Sequence, residues 1–122
     1  MANKIDFVSL EEELRNIFSN AAEAELERLK KEGPKYIVCG CELLDLCGNA
    51  FVKFKDGRSS FCRQLKAYNK ERGQEGFLDG LSLEYGHTGR QEYSVNKAGV
   101  QAVVDYLREH FKVKCYCYSY ID

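Results

Sequence analysis

No apolar run in this chain approaches the roughly 20 residues that a membrane-spanning helix needs. The opening segment, MANKIDFVSLEEELRN, lacks the charged-then-apolar layout of an export signal, so the expected setting is the cytosol. Tryptophan is absent and proline occurs once. Internal repeats, low-complexity tracts and a linker are missing too, so the 122 residues read as one domain, 1–122. A strong excess of charge of one sign is also lacking. A formal net charge of −1 argues against coating nucleic acid through overall charge. There are only two histidines, His87 and His110. The chain contains no Gly-x-Ser-x-Gly, no His-Glu-x-x-His, no phosphate-binding glycine loop and no acidic pair at catalytic spacing. Nothing in this inventory points to an enzyme or to a resident cofactor.

What the chain does have is six cysteines: Cys39, Cys41, Cys47, Cys62, Cys115 and Cys117. Without an export signal they are expected to stay reduced, and free cysteine is a common small core residue. Cys39-x-Cys41 and Cys115-x-Cys117 place their side chains on one face if each pair lies on a strand. If those strands were neighbours, four sulfurs would converge, which is the ligand set of a structural zinc site. Zinc knuckles normally separate paired cysteines by two to four residues, so buried thiols are the favoured reading and no metal is expected.

The last thirty residues organise the expected fold. Val100, Val103, Val104, Leu107 and Phe111 recur at helical spacing, with Asn96 as the expected N-cap. The closing run alternates, placing Val113, Cys115, Cys117 and Ile121 on one face and Lys114, Tyr116, Tyr118 and Tyr120 on the other. Upstream, Leu10, Leu14, Ile17, Phe18, Ala21, Leu26 and Leu29 predict a long helix over residues 10–32. It would be capped by Ser9 with Glu12 and stopped by Gly33-Pro34. Residues 35–43 and 50–55 read as strands, and Asp56-Gly57 as a turn. Residues 58–65 either return as the second strand of a hairpin or form a helix capped by Ser59 or Ser60, carrying Phe61, Leu65 and Tyr68 and ending at Gly73. The i, i+4, i+7 spacing and the end signals favour the helix. Leu81, Leu83 and Tyr85 alternate into a turn at residues 86–89, and Tyr93 and Val95 alternate out of it, which predicts a hairpin. The expectation is an α+β domain in the order α-β-β-α-β-β-α-β. It would have an antiparallel or mixed sheet of about five strands, with the long N-terminal and the C-terminal helices packed on it.

Two surfaces stand out. Between Lys53 and Arg72 seven basic residues face two acidic ones, a local charge of +5. There Lys53, Lys55, Arg58, Ser59, Ser60, Arg63 and Lys66 form a candidate anion or nucleic-acid site at a helix N-terminus. The second is the tyrosine stripe Tyr116, Tyr118 and Tyr120, which suits a protein partner or a second copy ahead of stacked bases. Cys62, near Arg58 and Arg63, is a weaker candidate nucleophile with no histidine in local reach. The leading expectation is a small cytosolic, non-enzymatic interaction protein. It would be of inhibitor, immunity or adaptor type, such as phages and mobile elements encode, and would form a homo-oligomer or dock on another protein or nucleoprotein. The alternative is a nucleotide- or nucleic-acid-binding domain using the basic segment. A cysteine enzyme ranks third.

Overall fold

The computed structural model describes residues 4–34, 36–38, 41–43, 48–55, 57–72 and 93–121. Its elements are α1 (Phe7–Glu32), β1 (Tyr36–Val38), β2 (Cys41–Leu43), β3 (Gly48–Phe54), α2 (Ser60–Arg72), α3 (Tyr93–His110) and β4 (Cys115–Ile121). The expected five-stranded sheet does not form among the described residues. Two separate antiparallel ribbons stand in its place, β1 with β2 and β3 with β4.

Two local readings account for the difference. Residues 35–43 do not make one strand: Tyr36 pairs with Leu43 and Val38 with Cys41, so the run folds back on itself. Tyr93 and Val95, expected in a strand, open α3 instead. Val95, Gly99 and Val103 join Asn96, Val100, Val104 and Leu107 as buried positions at helical spacing, which outweighs the β-preference of Tyr-Ser-Val. The hairpin expected from Leu81 to Val95 thus loses its return strand to α3, while its first strand and turn, and the helix stop at Gly73, lie outside the described residues.

The first helix starts one turn before its expected cap. Asp6, not Ser9, occupies the N-cap, and its carboxylate accepts the N–H groups of Val8 at 3.2 Å and Ser9 at 3.3 Å. The Ser9 hydroxyl donates to the other carboxylate oxygen at 2.9 Å. These bonds, the Ser9 hydroxyl foremost, hold the Asp6 carboxyl below its ordinary value. The cap is therefore complete above the normal carboxylate range and is lost as the pH falls through the lowered value. At the other end Gly33 takes φ 83°, where a side chain would be strained, and its N–H closes on the Leu29 carbonyl at 3.0 Å.

The layers are helix, helix, ribbon. One side of α3 packs on α1 and the other on β3 and β4, so the long helix covers α3 and not the sheet face expected for it. Leu10, Leu14, Phe18, Ala22 and Leu29 of α1 are buried, as are Ala50 and Val52 of β3 and Val113 and Cys115 on the β4 side. Fully burying each large aliphatic or phenyl group contributes about 1.5–3 kcal/mol. Between α1 and α3 the approach is set by Gly99, where a Cβ would stand 2.5 Å from the Phe18 ring. Asn96 does not cap α3. It is wholly buried, and its side-chain N–H donates to the Gly48 carbonyl at 2.7 Å, tying α3 to the start of β3.

Aromatic rings close one end of the layers. Phe61, at the start of α2, lies 5.6 Å from Phe7, 5.8 Å from Phe54 and 5.4 Å from Phe111 between ring centres. It therefore joins the beginning of α1, the end of β3 and the end of α3. Tyr68 stacks on Phe7 at 5.2 Å and continues the cluster along α2.

Gly99→Ala tests the close packing. Overpacking a fixed ring costs about 1–3 kcal/mol, against roughly 1 kcal/mol gained from helix propensity. Urea unfolding is expected to show a net loss of about 1 kcal/mol that shrinks in a Phe18→Leu background. A Gly99→Ala protein more stable than its parent would contradict the contact.

Candidate functional site

Strand pairing decides what surrounds the tyrosine stripe. In the β3–β4 ribbon Lys53 lies opposite Tyr116, Phe51 opposite Tyr118 and Val52 opposite Cys117. The pairing runs on through the Lys55 N–H, which donates to the Lys114 carbonyl at 2.9 Å. Period two then sends Val52, Phe54, Cys115 and Cys117 toward α3, and Phe51, Lys53, Tyr116, Tyr118 and Tyr120 away from it. Ile121, expected on the inner face with the cysteines, is 52% exposed at the end of the ribbon.

The three tyrosines are exposed to 43%, 48% and 38%, a value at which a ring is anchored on one side and open on the other. Phe51 stacks on Tyr120 at 5.7 Å between centres, and Tyr118 lies 6.3 Å from Tyr120. The Lys53 ammonium stands 5.9 Å over the Tyr118 ring, a cation–π distance. No Asp or Glu occurs in residues 48–55 or 113–121, so neither strand contributes a carboxylate to this face. The Tyr93 hydroxyl and Ser119 Oγ, 2.9 Å apart, tie the strand from its other side to α3.

The basic segment divides into two places. Lys53 and Lys55 belong to the ribbon. Arg58, Ser59, Ser60, Arg63 and Lys66 gather at the start of α2, as the sequence suggests, but most are engaged internally. Ser59 caps the helix by accepting the Cys62 N–H at 3.2 Å, and Ser60 accepts from the Gln64 amide at 3.1 Å. Arg63 donates to the Arg58 carbonyl at 2.8 Å and Lys66 to the Gly57 carbonyl at 3.3 Å, so both brace the turn.

Of the cysteines whose side chains are described, two lie in the core and Cys117 is half-buried. Cys62 and Cys115 are buried, and the Cys115 thiol lies 3.9 Å from the Val104 carbonyl of α3. Burial pushes the Cys115 thiol up to about 11 and raises Cys117 as well. β4 pairs with β3 while Cys41 belongs to the other ribbon, so the side-by-side pairing of the two cysteine-bearing segments is not formed among the described residues; Cys39 lies outside them. Among the described residues no group of three or more His, Cys, Asp or Glu side chains could hold a metal ion. His110 lies against Tyr106 at 4.2 Å between ring centres, and His87 lies outside the described residues. Among the described residues no helix is long and apolar enough to cross a membrane.

Phe51 belongs to the outer face although it was not singled out from the sequence, and Lys114, placed on that face by its alternation, was not counted among the site residues. The signal was present: Phe51, Lys53 and Lys55 alternate just as Lys114, Tyr116, Tyr118 and Tyr120 do. Only the pairing of two segments sixty residues apart joins the two series. Comparisons of the chain with protein-family models, with curated proteins and with solved structures returned no match.

Buried thiols should resist alkylation. With iodoacetamide at pH 8 and residue-resolved mass spectrometry, Cys62 and Cys115 are expected to label only after denaturation, with Cys117 slow in the native protein. Rapid native labelling of Cys62 would reopen its reading as a nucleophile.

Proposed function

We propose that this is a cytosolic, non-enzymatic binding protein that takes single-stranded nucleic acid on the outer face of the β3–β4 ribbon. The observation that carries the reading is a solvent-facing sheet surface built from Phe51, Tyr116, Tyr118 and Tyr120, interleaved with Lys53, Lys55 and Lys114, with no acidic residue in either strand. Half-open rings give bases a stacking platform, and lysines beside them follow the phosphates. At about 3.3 Å per residue β4 is roughly 20 Å long, enough for a few nucleotides.

The rings by themselves suit a protein interface equally well. Lysine, however, is depleted at protein interfaces while tyrosine is enriched, and here Lys53 sits over the Tyr118 ring within the patch. A protein partner would have to desolvate that ammonium, whereas a polyanion supplies its counter-charge. A protein partner, including a second copy of this chain, is the second reading, favoured by the exposure of three tyrosines on one strand.

Fluorescence anisotropy with labelled 12-nucleotide single strands of RNA and DNA tests this at several salt concentrations. Binding should weaken with salt at a log–log slope of about −2, as the counterions released when three lysines neutralise three phosphates imply at roughly −0.7 each. Tyr118→Ala should cost about 1–3 kcal/mol, the usual value for one stacked base, and Lys53→Glu should flatten the slope. If no strand binds at 50 mM salt and sedimentation shows a concentration-dependent dimer abolished by Tyr118→Glu, the face is a self-association surface instead.

A further inference from the structure

Beside the lysine end of the ribbon lies an open cleft of about 310 Å³ where α3 hands over to β4. Four cationic side chains line it: Lys55 after β3, Arg108 in the last turn of α3, Lys112 in the connection, and Lys114 before β4. Val113, Cys115 and Tyr116 complete the described wall, and among the described residues no carboxylate lines it. None of the four cations makes an ion pair with a described residue. By contrast α1 matches Arg15 with Glu11 and Arg28 with Glu25 and Glu32.

Cations near a helix C-terminus have an ordinary structural use, because the last carbonyls carry about half a negative charge. That use accounts for Arg108 and His110, which sit in the last turn of α3. Lys55 and Lys114 come from the ribbon, and four like charges around one space exceed what half a charge can balance. Lys112 adds a second departure from local rules. It holds φ 55°, the left-handed region in which glycine is free of strain and a lysine is not. A β-carbon and a cation are thus retained at a position where the backbone favours glycine.

We infer that this cleft binds a phosphate group, and that a terminal, doubly charged phosphate fits it better than a backbone diester. A phosphomonoester carries about −1.5 to −2 charges near pH 7, whereas a diester carries one. Four cations with no ion-pair partner among the described residues match the larger charge, and Arg108 supplies the planar fork that grips two oxygens. The volume lies at the small end of ligand sites, about 300–1,000 Å³, with room for a phosphate and its sugar. Because Lys55, Lys114 and Tyr116 border both the cleft and the outer face, a strand lying on the ribbon would end its first phosphate here. The inference deepens the nucleic-acid reading and rests on it for the source of the phosphate, but the anion site itself is tested separately.

Two measurements separate the cleft from the ribbon. In the first, 12-nucleotide single strands with a terminal phosphate at the 5′ end, at the 3′ end or at neither are compared by anisotropy. One phosphorylated end should bind at least five-fold tighter than the unphosphorylated strand. Arg108→Gln/Lys112→Gln should erase that gain, while Tyr118→Ala should weaken all three strands alike. Equal affinity for all three strands, or a gain that survives the double substitution, overturns the inference. In the second, pyrophosphate and nucleoside monophosphate are titrated into ¹⁵N-labelled protein. The amide signals of residues 108–115 should shift saturably in the parent and not in the double variant. If no oligonucleotide binds but these shifts occur, the ribbon reading fails and the cleft stands as a site for free phosphate compounds. If neither ligand shifts the signals, the cleft is a solvated cluster only. A Lys112→Gly variant, expected to be at least as stable as the parent but weaker for the terminal phosphate, separates loss of charge from misfolding.

Discussion

The burial of α3 on two opposite sides is the constraint on which the described structure depends. Val95, Asn96, Gly99, Val100, Val103, Val104 and Leu107 are all covered, which leaves the helix a polar stripe through Lys97, Gln101, Asp105 and Arg108. A helix clad by α1 on one side and by a ribbon on the other needs small residues where the backbones close in. Gly99 under Phe18 meets that need on one side, and valines meet it on the other. With α3 in the middle, α1 and the β3–β4 ribbon each keep an outer surface for water or a partner. The two surfaces differ in charge. Seven glutamates and four basic residues lie along α1, while the ribbon carries lysines without acids. A net charge near zero therefore conceals a separation of sign across the layers, the kind of field that orients an approaching polyanion.

The second fixed point is the ring cluster around Phe61. It gathers the start of α1, the end of β3 and the end of α3, elements that are distant in sequence. One consequence is that the connection through Lys112 leaves the core close to where Lys55 leaves β3, which is how cations from three segments come to share one cleft. Packing of apolar groups thus positions the charged ones. The ring faces on the outer ribbon are arranged in the same way, since the inner residues Val52 and Cys115 fix the register that sets Lys53 opposite Tyr116.

Much of the fold was legible where the signal is local. The apolar stripes of α1, α2 and α3, the glycine stop at Gly33, the Ser59 cap and the alternation of β4 all depend on neighbours within a few residues. Reading failed where local preference and tertiary contact disagree. Asn96 has the chemistry of an N-cap, yet a buried carbonyl at Gly48 takes its side-chain N–H and the helix runs back to Tyr93. Ser9 and Glu12 match a capping box, but Asp6 offers two acceptor oxygens one turn earlier and the first turn forms there. The run 35–43 alternates like one strand, and periodicity cannot register that it pairs with itself.

The sequence by itself determined where the helices lie and that Cys115 and Cys117 share one face of a strand with the tyrosines on the other, because a period of 3.6 or 2 is a property of the chain alone; which face turns inward was decided by packing. The sequence also carried the basic bias of residues 53–72, but not which of those cations are free. Tertiary structure decided that Arg63 and Lys66 brace a turn, while Lys55 joins Arg108, Lys112 and Lys114 around a cleft. It decided as well that β3 and not the segment of Cys41 pairs with β4, which creates the aromatic and lysine face. The physical reason is the same in each case. Strand partners and cleft linings are set by which apolar surfaces can be buried together across the whole chain, and no window of neighbouring residues contains that information.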